Sequence, residues 1–218
     1  YLGDTPNTSA PAGVLGLTPA PQLERYPLTP IQQGIYVQSF LDPTGLAYHM
    51  AGAFRVEGQP DFIRLKQAFQ GILDQDPLFR TAFVPEADGI WARVQEQVPF
   101  HLEILEAETF EEACKAFLRP FDLASPPLLR AAVWNGREEG WHLLVDLHHI
   151  IGDGASTPLL WQRMEHMLRE GHGKPVPLSY LDYAWHLSQE GAEPNPEDRQ
   201  NWQESLSPLP EPLRLPGD

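Results

Sequence analysis

The chain has 218 residues, 42% of them apolar, and carries 30 Asp and Glu against 15 Lys and Arg, for a formal net charge of −15. That length and apolar share can build a substantial core, while the negative balance opposes binding to phosphate backbones and anionic membranes, so nucleic acid is not an expected partner. The single cysteine, Cys114, excludes an intrachain disulfide framework and fits a reducing, cytoplasmic setting, and no stretch reaches the ~20 apolar residues of a membrane span.

Residues 1–25 hold Pro6, Pro11, Pro19 and Pro21 among Gly, Ala, Thr and Ser with little periodicity, which describes an inter-domain linker. Tyr26-Pro27-Leu28-Thr29-Pro30 then supplies a helix start, with Thr29 as N-cap and Pro30 at the first helical position, and the spacing predicts a helix to Leu41. A strand is expected over Met50–Val56, followed by a helix opening at Pro60 with Phe62, Leu65, Phe69, Ile72 and Leu73 on one apolar face. Leu78–Val84 and Ile90–Val94 read as the strands of a hairpin, with a further strand at His101–Leu105. A helix over Phe110–Leu118 is stopped by Pro120.

After Phe121-Asp122-Leu123 and Pro126-Pro127, the runs Leu128–Trp134 and Trp141–Leu147 read as a strand pair turning at Asn135-Gly136. A helix with Leu159, Leu160, Met164, Met167 and Leu168 runs to Glu170, and two more are expected, one after Ser179 as N-cap and one over Asp198–Ser205. Pro208–Asp218 is proline-rich and reads as a connector. Strands and helices mixed in this order predict an α+β fold, an α/β layered sandwich with a mixed sheet covered by helices, over residues 26–207.

Chemistry concentrates in His148-His149-Ile150-Ile151-Gly152-Asp153-Gly154, where an apolar strand gives way to a loop. Neighbouring side chains on a strand point to opposite faces, so one imidazole can face a cleft while its neighbour packs inward, and the pair is poorly placed to hold one ion. Asp153 comes within reach of His149 only if the loop folds back, which Gly152 and Gly154 permit. The pair can be read as two structural histidines at a strand end. A metal site would need His149 and Asp153 with a distant third ligand, and no second cluster has ligand-like spacing. A nucleophilic triad lacks its nucleophile, since Cys114 is mid-helix and no Gly-x-Ser-x-Gly occurs. Acid/base or positioning work by one histidine is the chemical option that survives.

The same seven residues fit the His-His-x-x-x-Asp-Gly motif of nonribosomal peptide synthetase condensation domains, and Ser156 stands where that family often has serine. Tyr26 to Gly34 resembles the family's opening motif, and Phe79-Arg80-Thr81-Ala82-Phe83 the end of its second. Phe121-Asp122-Leu123 with Pro127-Leu128-Leu129-Arg130 resembles the stretch before the histidine motif, and Trp202 with Leu215-Pro216-Gly217-Asp218 the close of the first lobe. The resemblance runs from about Tyr26 to Asp218, the N-terminal half of the family's domain. One departure is Gln75, with Asp76 and Pro77, where the second motif usually opens on a further arginine.

The resemblance implies a chloramphenicol acetyltransferase-like lobe, one of two that form a V around a tunnel. Upstream and downstream peptidyl carrier domains would insert phosphopantetheine arms from opposite ends, and the domain itself would bind no cofactor or metal. A donor thioester would be attacked by the α-amine of a downstream aminoacyl thioester to give an amide. His149 would act as general base or positioning group, and Gly154 would offer close backbone approach and an N–H to the oxyanion. Asp153 would organise the loop through an ion pair with Arg80, and His148 would be structural. An epimerisation domain shares the fold and motif, although Ala155-Ser156-Thr157 replaces the Ser-Trp common in that sister family. A catalytically silent domain that recruits a protein partner is the alternative of another class. One lobe alone is expected to fold yet form no peptide bond, because the tunnel lacks its second wall.

Overall fold

The computed structural model describes residues 16–136, 139–173, 176–189 and 196–208. Residues 1–15 of the expected linker and 209–218 of the expected connector, with Leu215 to Asp218, lie outside them. In chain order the elements are β1 (Tyr26–Pro27), α1 (Pro30–Leu41), β2 (His49–Val56), α2 (Phe62–Gln75), β3 (Thr81–Glu86), β4 (Gly89–Val94) and β5 (Leu102–Leu105). They continue with α3 (Phe110–Phe117), β6 (Leu129–Asn135), β7 (Trp141–His148), α4 (Ser156–Glu170), α5 (Tyr180–Gln189) and α6 (Pro196–Ser205). Short 3-10 turns lead into β3 (Pro77–Arg80) and out of β7 (His149–Ile151).

The strands form a three-stranded sheet, β1-β4-β3, and a four-stranded sheet, β2-β7-β6-β5. In the larger sheet β2 and β6 both run antiparallel to β7, whereas β5 runs parallel to β6, so the sheet is mixed. Alternation along β6 and β7 divides their side chains between two layers. Leu129, Ala131, Val133, Leu143, Val145 and Leu147 share one core with Leu65, Phe69, Ile72 and Leu73 of α2 and Leu160, Met164 and Met167 of α4. Ala132, Trp134 and Leu144 pack on the other face against Ala113 and Phe117 of α3. The result is the expected α+β sandwich with helices on both faces of a mixed sheet.

Local chemistry sets the element ends. Thr29 and Gln32 form a capping box at the start of α1, and Thr109 and Glu112 form another at α3. Two expectations are corrected. The helix expected to open at Pro60 begins at Phe62, because Asp61 is its N-cap and the Asp61 carboxylate accepts from the N–H groups of Ile63 and Arg64 at 3.1 and 3.0 Å. The strand expected over Leu78–Val84 begins only at Thr81, because Asp76 accepts from Leu78 N–H at 3.1 Å and Pro77 occupies the first position of a helical turn. Thr81 donates its hydroxyl back to Pro77 C=O at 2.8 Å and closes that turn. The β6–β7 connection leaves the sheet at the expected Asn135-Gly136, with Gly136 N–H donating to Gly140 C=O at 3.0 Å.

Candidate active site

Strand alternation at the end of β7 separates the two histidines. His148 is 4% exposed, while His149 is exposed at the first position of the turn that follows. Backbone bonds fix the pair: His148 N–H donates to Leu128 C=O at 2.9 Å and His149 N–H to Tyr48 C=O at 2.8 Å. The turn is locked from within, because Ile150 N–H donates to His148 Nδ1 at 3.2 Å. A backbone N–H can only donate, so Nδ1 holds a lone pair and the proton of the His148 ring sits on Nε2, 3.5 Å from Ser39 Oγ. Buried Gln32 of α1 donates to Ile150 C=O at 3.0 Å and pins the same turn from the helix side.

His148 belongs to a buried polar row on one face of the large sheet. His49 lies opposite His148 across β2 and β7, and its Nδ1 is 2.7 Å from Asp146 Oδ2, with the Asp146 side chain 0% exposed. Arg130, opposite Asp146 on β6, brings Nε to 3.7 Å from the same carboxylate oxygen and lies 3.6 Å over the Phe121 ring. Burial above all, then the fields of His49, His149 and Arg130, push the His148 imidazole down to about 4. Burial likewise draws Arg130 down to about 10, against the pull of Asp146. His148 is therefore neutral at neutral pH with one nitrogen already occupied.

His149 opens into a cleft of ≈ 410 Å³. Its walls include Ile31 and Ile35 of α1, Leu159 and Leu160 of α4, and the polar side chains of Asp76, Arg163 and Tyr180. Asp153 and Ser156 line it as well. Towards the C-terminal end of α1, Tyr36, Ser39 and Phe40 line a second cleft, of ≈ 520 Å³, with Phe121. His149 is thus reached through the first cleft, whereas the buried His148 ring borders the second through Ser39 and Phe121.

The ion pair expected between Asp153 and Arg80 does not form. Asp153 is exposed, and its Oδ1 accepts from Ser156 N–H at 2.8 Å and Ser156 Oγ–H at 2.7 Å, while Ser156 Oγ lies 3.1 Å from Asp153 N–H. With Thr157 N–H also donating to Asp153 C=O at 3.2 Å, this reciprocal arrangement caps the turn that leads into α4, just ahead of Ala155, which has no side-chain cap bond of its own. The Ser156 hydroxyl, followed by its amide, holds the Asp153 carboxyl below its ordinary value. Arg80 instead donates to the carbonyls of Leu73, Gln95 and Glu96 at 2.8, 2.6 and 2.8 Å, tying α2 to the end of β4.

The glycines also differ from expectation. Gly152 has φ −177°, extended backbone open to any residue, and a Cβ there would stand 2.9 Å from Leu147 Cδ2, so a side chain at this position would press on the buried Leu147. Gly154 is exposed, lies outside the cleft lining, and would place a Cβ in open space. Cys114 is half-buried on α3, and burial raises its thiol. The residues that the sequence reading passed over are His49, Asp146, Arg163, Asp76 and Tyr180. Of these, Asp146 carried a signal, since a carboxylate inside an apolar strand requires a partner.

The chain belongs to the condensation domain family, whose model its residues 22–218 match. Surfactin synthase subunit 1 of Bacillus subtilis (strain 168) is 35% identical over 194 residues, which is 86% of this chain and 5% of that protein. Among solved structures, the starter condensation domain of rhizomide synthetase RzmA superposes with a TM-score of 0.69 at 22% identity, covering 86% of this chain and 49% of that one. The X-domain in the complex of the X-domain and OxyB from teicoplanin biosynthesis gives 0.76 at 22%, covering 91% and 47%. The chain thus spans a small part of its curated relative and about half of the matched solved chains. Among the described residues no helix is long and apolar enough to cross a membrane.

Proposed function

We propose that this chain supplies the histidine-bearing half of a peptide-bond-forming site in nonribosomal peptide synthesis. The observation that carries the reading is the division of labour in the pair: His149 faces an apolar cleft, whereas His148 is buried, neutral and engaged by Ile150 N–H. The substrates would arrive as thioesters on phosphopantetheine arms of an upstream and a downstream carrier domain, in the cytoplasm, with a second lobe closing the tunnel. The amine nitrogen of the acceptor attacks the donor thioester carbon; the new C–N bond forms as the C–S bond breaks. His149 orients the amine and takes its surplus proton, which then passes to the departing thiolate.

Each neighbouring residue has a matching part. The Tyr48 carbonyl and Gln32 hold the backbone turn that carries His149, which favours alignment of two tethered reactants. Asp153 and Ser156 fix the start of α4, one wall of the cleft, without taking a proton.

The test uses the complete two-lobed domain with carriers loaded with donor and acceptor, the dipeptidyl product being followed by mass. His149→Ala is expected to lower the rate by ~10²–10⁴-fold, the range for a positioned acid/base group, and His148→Ala by much less among folded variants. Parent-like turnover by His149→Ala would remove His149 from the reaction.

A further inference from the structure

Residues 18–25 have no regular structure, yet they are fastened to the body along their length. The Thr18 C=O accepts from His186 Nε2 and the Ala20 N–H donates to Asp182 Oδ1, each at 2.8 Å, and both partners lie on α5. Glu24 pairs with Arg93 at 2.8 Å, and Arg25 stacks 3.9 Å over the Trp91 ring while pairing with Asp88. A segment with linker composition is therefore a docked strap.

Its attachment continues inward. The second oxygen of Asp182, Oδ2, accepts from Ser179 N–H at 2.7 Å. Ser179 caps α5 and donates its hydroxyl to Asp76 Oδ1 at 3.0 Å. Asp76 Oδ2 in turn lies 3.3 Å from Arg163 Nη1. Asp76, Arg163 and the adjacent Tyr180, whose hydroxyl is 3.3 Å from Thr29 Oγ1, all line the His149 cleft. Each link is a hydrogen bond to a carboxylate, the stronger and geometrically stricter kind, and the Asp182 carboxylate also sits at the positive end of α5.

We infer that Asp182 is a positioning residue: its two carboxylate oxygens couple the N-terminal strap to the Ser179–Asp76–Arg163 wall of the His149 cleft. The strap therefore helps to set where Arg163 stands in the cleft. The meaning of this coupling for chemistry rests on the proposed function, but the coupling itself is measured without turnover.

Hydrogen exchange read by mass spectrometry on the 218-residue protein tests it. The Leu78 amide donates to Asp76 and so reports the far end of the network, remote in sequence from the strap. Asp182→Ala removes both acceptors. Ala20→Pro removes only the strap's N–H, at a residue that the following Pro21 already biases towards extended backbone. Both variants are expected to speed exchange in residues 18–23, at 176–181 and at Leu78 by ~10-fold or more, the equivalent of one charge-assisted bond, while β6 and β7 keep parental protection. Asp182→Asn, which keeps one acceptor oxygen, should restore part of the protection. If Ala20→Pro speeds the strap alone and leaves 176–181 and Leu78 as in the parent, the coupling is refuted, and this holds even if Asp182→Ala fails to fold.

Discussion

Replacing Asp153 by alanine separates a helix cap from a buried ion pair, because the two differ several-fold in cost. In the structure the carboxylate is exposed and accepts two hydrogen bonds from Ser156 at the start of α4, and Arg80 is occupied by three carbonyls elsewhere. Losing a cap of this kind costs about 1 kcal/mol, within a range of ~0.5–2, whereas breaking a buried pair costs ~3–5 kcal/mol. For a chain of this size, 1 kcal/mol moves Tm by ~2–4 °C. Asp153→Asn keeps the Oδ1 acceptor and should melt close to the parent. A double-mutant cycle of Asp153→Ala with Arg80→Ala should give additive losses within ~0.5 kcal/mol. Because the folded-state pKa of Asp153 is lowered, the cap contributes above the unfolded value near ~3.9 and is lost as pH falls through the folded value, so parent and alanine variant converge in acid. Scanning calorimetry with urea melts would show this. A loss above ~3 kcal/mol, or a coupling energy with Arg80 of that order, would refute the capping role.

Two further outcomes are expected. The folded-state pKa of His148 is depressed to about 4 from an unfolded value near ~6.5; its contribution is complete above ~6.5 and drains away as pH falls towards 4, by ~3 kcal/mol in all. His148→Asn should flatten urea stability between pH 6.5 and 4.5 relative to the parent, and an unchanged slope would contradict the burial argument. Gln32→Ala strands the Ile150 carbonyl in the core and should cost ~1–3 kcal/mol in denaturant melts; a loss below ~0.5 kcal/mol would mean that water replaces the amide.

Much of the fold was legible because its signals are local. Thr29-Pro30 and Ser179 announce helix starts, and the apolar faces of α2 and α4 repeat at helical spacing over several turns. The errors arose where two local signals overlap. Leu78 to Val84 is apolar enough for a strand, yet Asp76-Pro77 is itself an N-cap followed by a first-position proline, and that pair wins for one turn before the strand begins. The strap at 18–25 escaped notice for another reason: its bonds to α5 run from backbone groups to side chains more than a hundred residues away, and composition carries no trace of such partners.

The site divides the same way. That one histidine of the pair would face inward and the other a cleft follows from the two-residue period of a strand, and β7 obeys it up to its last residue. What sequence could not supply was the destination of each charge. Asp153 and Arg80 looked complementary because one motif held a free carboxylate and another a free cation, but each found nearer partners: Ser156 three residues on, and carbonyls at the ends of α2 and β4. The buried carboxylate was instead Asp146, hidden in an apolar run and answered by His49 and Arg130 from the two flanking strands. A carboxylate in water can be satisfied by the first hydroxyl or amide within reach, while one with no exposure must have partners that the sheet register delivers. The buried charges beside His148 are therefore paired by sheet register, His49 and Arg130 standing across from His148 and Asp146, rather than by motif spacing.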